Sequence, residues 1–223
     1  MNKQQNHIDS SEDFLTSLIR KTKITSASRF EAYRRMQYMK NVTTLAIAML
    51  SIYIISLNLL VFIDSFKHLS NELTLITVVL STFVLSVSLV ISQHQYGERE
   101  YTFHCCGMEL NQFFDKLMMY KDEGKGLTID QKQALSQEYS DILKTYNLNH
   151  TRLDTLVVTS KDDFAQTMER YGFSFKKTRR LRKGWILLRR YIFDASFIYL
   201  LLIIIPPLLI GIFLANVYPW LLN

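Results

Sequence analysis

Turn-formers are scarce in this chain: 223 residues include only seven glycines and three prolines. An all-β domain needs many more tight turns than these can supply, so the water-facing parts are expected to be helical. Cysteine is nearly absent too. Cys105 and Cys106 stand side by side, with no CxxC pair and no second His/Cys cluster at zinc-ligand spacing, which excludes a disulfide scaffold and argues against a zinc site. The glycines never form GxGxxG or GxxxxGK, so no phosphate-binding loop is present. The nearest approach to a catalytic group is Asn149, His150 and Asp154. Its simpler reading is a loop whose polar side chains cap the preceding helix.

Charge is missing from three stretches, 41–63, 73–93 and 195–223. Each is long enough to cross the roughly 30 Å apolar core of a bilayer as a helix. A mean hydropathy near zero hides them, because the charges are confined to the segments between. The first stretch does not read as a secretion signal, since it follows forty residues with eight Lys/Arg and is too long. Segments then divide as an N-terminal helical part (1–40), a first span (41–63), an outer loop (64–72), a second span (73–93), a helical domain (94–175), a basic juxtamembrane run (176–194) and a third span (195–223). The fold class is an all-α membrane protein: three transmembrane helices carrying a cytoplasmic bundle.

Arg29, Arg34, Arg35 and Lys40 precede the first span, while the loop after it holds Lys67 against Asp64 and Glu72. The positive-inside rule therefore expects the N-terminus and the central domain in the cytoplasm and the C-terminus outside. Between 176 and 190 lie eight bases and no acid, Lys176, Lys177, Arg179, Arg180, Arg182, Lys183, Arg189 and Arg190. These suit the anionic inner leaflet, where each gains on the order of 1 kcal/mol. From 98 to 170 there are 13 acids and nine bases, a balance of −4, so direct nucleic-acid binding is not expected.

Ser10 and Asp13 stand at capping-box spacing before a helix that runs into the first span, with an interruption expected near 22–27. Phe103, Cys106, Leu110, Phe113, Leu117 and Tyr120 alternate spacings of three and four. Such a seam predicts that the second span continues as one long helix to Gly124 and Gly126, and it makes Cys106 a packing residue rather than a ligand. Thr128 with Gln131, and Ser160 with Asp163, signal two more helix starts.

The spans carry polar stripes. Thr74, Thr77, Ser81, Ser88 and Ser92 fall within an arc of about 60°, and Thr44, Ser51 and Asn58 lie one heptad apart. Two readings stand: close helix packing, which the pattern alone favours, or a surface facing water inside an oligomer.

The run ITSASRFEAYRRMQYMK before the first span, LAIAMLSIYIISLNLL within it, and SQEYSDILKTYNLNHTRLD after the second resemble the SLATT family of bacterial membrane effectors. Matching positions are Thr25, Arg29, Phe30, Ala32, Arg35, Ser51 and Tyr53, then Tyr139, Leu143, Asn149, His150 and Asp154. The resemblance spans about residues 20–160, and a third membrane stretch goes beyond the family's two-helix description. It implies a pore-forming effector of a prokaryotic conflict system, acting at the inner membrane as a homo-oligomer. A linked sensor, such as a nucleotide messenger synthase or reverse transcriptase, is implied as partner, and no enzyme activity, cofactor or metal is expected. Thr44, Ser51, Asn58, Thr77, Ser81, Ser88 and Ser92 are the pore-lining candidates. The rivals are a membrane-anchored adaptor and a hydrolase using His150.

Overall fold

The computed structural model describes residues 2–173 apart from Lys125, with Trp185 and Ile204 beyond them. Helix α1 (Asn2–Leu60) is followed by a short 3-10 segment (Asp64–Leu69), then by α2 (Ser70–Gln93), α3 (Tyr96–Asp122), α4 (Ile129–Tyr146), α5 (Arg152–Ser160) and α6 (Asp162–Arg170). There is no strand among the described residues. The expected third span and the basic run lie outside them, Trp185 and Ile204 excepted.

The chain divides into two compact units, one of residues Met1–Gln37 with Gly97–Arg190, the other of Tyr38–Tyr96 with Tyr191–Asn223. Within the second, α1 and α2 are long and apolar enough to cross a membrane. The most apolar window of α1 is 28% buried and that of the stretch Lys67–Asp122 only 6%. A core helix of a water-soluble domain would be covered by its own protein, whereas Leu75, Val78, Val79, Leu85 and Leu89 on α2 all lie open. Buried positions on α1 repeat as a seam at Met39, Thr43, Ala46, Leu50 and Leu57. At its start Met39 and Ala46 pack with Val42, Ile91 and Tyr96.

In the first unit α1, α3, α4 and α6 enclose one core. Leu15, Leu18 and Ile19 meet the seam of α3 at Cys106, Leu110, Phe113, Phe114 and Leu117, closed by Leu135, Tyr139, Ile142 and Met168. The three-and-four spacing puts these side chains on one face, which is why the helix buries it. Cys106 is 1% exposed among them, as a packing residue. Close approach of α1 to α3 depends on Gly107: a Cβ there would lie 3.1 Å from the Phe30 ring.

Five expectations are corrected. Helix α1 is unbroken through 22–27 and begins before Ser10, so Ser10 is no cap. Thr22, Ser26 and Ser28 are buried and Ser26 donates to the Gly107 carbonyl at 3.0 Å, so polar residues in this stretch are spent on tertiary packing. The second span does not run on into α3. His94 closes α2, and Gln95 takes a left-handed φ of 47° before α3 begins. Ser160 ends α5, donating to Val157, and α6 starts from Lys161 with no side-chain cap. Lastly, α4 is closed by Asn147 at φ 39°, while Asp154 caps the following helix rather than the preceding one, in a reciprocal box with Thr151. The box of Thr128 with Gln131 forms as the spacing requires.

Candidate functional site

Helical periodicity sets Thr25, Ser28, Arg29, Ala32 and Arg35 on one side of α1, and each polar member meets α4, α5 or the loop between them. Thr25 Oγ1 lies 3.0 Å from the Tyr139 hydroxyl. Ser28 donates to Thr155 Oγ1 at 3.2 Å. Arg29 Nη1 donates to the Leu148 carbonyl. Arg35 holds Asp154 with two parallel bonds, Nε to Oδ1 at 3.0 Å and Nη2 to Oδ2 at 3.1 Å. Ala32, between the rungs, is fully buried. Family positions on α1 are thus clasped to family positions more than a hundred residues later on α4 and α5.

Asp154 is saturated. Besides Arg35 it accepts from the Thr151 backbone N–H at 2.9 Å and the Thr151 hydroxyl at 2.8 Å, so a side chain only 2% exposed has hydrogen bonds in place of the water it has lost. Arg29 is different. It too is 2% exposed, yet among the described residues no carboxylate pairs with it, and its Nε is buried without a partner. The Phe103 ring lies 5.7 Å from its guanidinium. Burial pushes the Arg29 pKa below its usual value, with Cys106 and Tyr139 pulling the other way. Burial, aided by Arg29, also pushes His150 down, and Asp154 opposes the shift.

The other family positions are less engaged in this clasp. Phe30 meets His104 edge-on, with ring centroids 5.9 Å apart. Asn149 is exposed. His150 is half-buried with Nδ1 orphaned. With Asp154 committed to Arg35 and Thr151, no carboxylate among the described residues is placed to orient His150 as a base, so the described geometry gives no support to hydrolysis.

Six of the seven polar candidates in the spans donate to carbonyls of their own helices. Ser51 donates to the Ile47 carbonyl, Asn58 to Ile54, Thr77 to Thr74, Ser81 to Thr77 and Ser88 to Val84, all at 2.7–3.0 Å. Thr44 likewise returns to Lys40. Thr77 is buried, Ser51 and Ser88 are half-buried, and Thr44, Asn58, Ser81 and Ser92 are exposed. A hydroxyl bonded to its own backbone tolerates lipid and still offers lone pairs to water, so this arrangement is compatible with both packing and a wet surface.

Sequence reasoning passed over several members of the clasp. The Leu148 carbonyl has no side-chain signature, and Ser28 and Glu31 look like ordinary helix-surface residues. Glu31 is in fact 2% exposed, its carboxylate 2.6 Å from Lys161 and 3.2 Å from Arg34. Only Thr151, three residues before Asp154, carried a readable signal.

The chain matches the family model of the SMODS and SLOG-associating 2TM effector domain family 5 over residues 11–212. No curated protein and no solved structure matches it. The match reaches well past the 20–160 stretch on which the resemblance rests and takes in the basic run and most of the third apolar stretch. The chain therefore belongs to this SLATT family, a family of two-transmembrane effectors of defence or conflict systems.

Proposed function

We propose that the protein is an oligomeric, pore-forming effector of a prokaryotic anti-phage system, set off by a partner sensor or a nucleotide signal, that depolarises the inner membrane and kills or arrests the cell. One observation carries the reading: α1 is a single unbroken helix that bears the clasp residues 25–35 and then the span with Thr44, Ser51 and Asn58. A cytoplasmic event that loosens the clasp therefore acts directly on a membrane helix with a polar stripe. A passage for ions needs polar groups along its length, which Thr77, Ser81, Ser88 and Ser92 would supply from α2 once several copies assemble. The basic segments face the cytoplasm and anionic lipid.

Conductance tests this. In liposomes with the trigger present, the full chain should pass ions. Replacing Ser81 and Ser88 together by Leu should abolish conductance and toxicity while insertion and oligomer size persist. An effector that remains toxic without passing ions or small dyes would instead be a membrane-anchored adaptor. Orientation is checked separately: a reporter active only outside the cytoplasm should work when fused at Asn223 and stay silent when inserted at Lys125.

A further inference from the structure

In the cytoplasmic unit a cavity of about 440 Å3 opens between α1 and the α5–α6 pair. That volume falls in the range of small-molecule pockets, roughly 300–1,000 Å3. Phe30 from α1 and Phe164 from α6 give it apolar walls, and Arg34 and Lys161 reach it from opposite sides. Both cations lean on the same atom: Glu31 Oε2 lies 2.6 Å from Lys161 Nζ and 3.2 Å from Arg34 Nη1. The Glu31 side chain is only 3% exposed, whereas those of Arg34 and Lys161 are 63% and 42% exposed. One carboxylate therefore partly neutralises two cations whose side chains remain largely open to solvent. Asp163, the other acid in the lining, is exposed and pairs with neither cation.

We propose that this cavity binds a small organic anion, a carboxylate or phosphate borne on a flat apolar ring, with the ring between Phe30 and Phe164 and the anionic group on Lys161 and Arg34. The chemistry follows from the lining. Aromatic walls favour a flat apolar body, and a guanidinium beside an ammonium favours an oxyanion by charge-assisted hydrogen bonds. Glu31 is then an internal competitor, because it holds the donors that the ligand would use. The site is independent of whether the membrane unit conducts ions.

Competition gives the proposal a signature that nonspecific adsorption lacks, since removing one charge should weaken binding and removing another should strengthen it. The full chain in lipid nanodiscs is titrated with 4-fluorobenzoate, 4-fluorophenyl phosphate and the neutral 4-fluorobenzamide, followed by fluorine NMR. Both anions should bind more tightly than the amide by about fivefold or more, the effect of one exposed charge-assisted contact. Arg34→Gln with Lys161→Gln should erase that preference. Glu31→Gln, which keeps an acceptor for Lys161 but drops the competing charge, should increase anion affinity. Lys116→Gln, at the separate surface pair with Glu138, should change nothing. Equal binding of anions and amide to the unaltered chain overturns the proposal without needing any variant, and so does a Glu31→Gln protein that folds normally but binds the anions no better.

Discussion

Arg35 and Asp154, 119 residues apart in sequence, meet through both arms of the guanidinium fork, at 3.0 and 3.1 Å, with the carboxylate buried and the Arg35 side chain only 15% exposed. That geometry ties the N-terminal part of α1 to the first turn of α5 with a defined register, which a single-point ion pair would not do.

Arg35→Ala should cost about 3–5 kcal/mol, because it strands a buried carboxylate. Asp154→Ala should cost a similar amount plus about 1 kcal/mol for the lost helix cap. The double variant should cost clearly less than the sum, with a coupling of about 1–3 kcal/mol. Arg35→Lys keeps the charge but not the fork and should fall between. Chemical denaturation of the solubilised protein reads all four; additive costs would mean that the two residues do not act as a pair.

Arg29 should behave in the opposite way. A guanidinium buried without a carboxylate partner among the described residues, with Nε unsatisfied, is a standing cost to the folded unit. Arg29→Met fills the same volume without the charge, so the unfolding temperature should hold or rise, although the Leu148 carbonyl loses its donor. If Arg29 serves the effector's response rather than its stability, triggered toxicity should fall in the same variant. A marked drop in unfolding temperature would show instead that its carbonyl and ring contacts outweigh its desolvation.

These two arginines also mark what a sequence can disclose. The α3 seam, the Thr128 cap and the first two uncharged spans are legible because each follows a local period, a short spacing or an unbroken apolar run. The break at Gln95 is not: neither glycine nor proline stands there, and a non-glycine left-handed residue leaves no compositional trace. The clasp is legible only by resemblance, since Thr25 and Tyr139 find each other across 114 residues through packing alone. Nothing in the order of residues distinguishes Arg35, paired with a carboxylate, from Arg34, which is largely exposed.

Acidification should loosen the clasp through His150. Burial holds its folded pKa below the ordinary 6.5, so the unfolded chain takes up the proton first as pH falls. Stability from this group is then complete above about pH 6.5 and declines as pH drops below it toward the folded value. The unfolding free energy of the unaltered protein should fall between about pH 7.5 and about pH 5.5 by more than that of His150→Gln, which cannot titrate. Identical pH profiles would remove His150 from the account.

Placement of the cysteines supplies the last test. Leu110 is fully buried in the α3 seam and Cys106 is 1% exposed one turn before it, whereas Cys105 is half-buried outside the core. Burial also pushes the Cys106 thiol up, against a smaller opposing effect from Arg29, so little thiolate is available for reaction. Maleimide should therefore label Cys105 readily and Cys106 only on unfolding. Cys105→Ser should shift stability by no more than about 0.5 kcal/mol, while Leu110→Asp, which puts an unpaired carboxylate into the core, should cost several kcal/mol and open the bundle to protease. Labelling of both thiols at the same rate in the folded protein would place Cys106 at the surface and undo the seam, because the three-and-four spacing that buries Leu110 buries Cys106 with it.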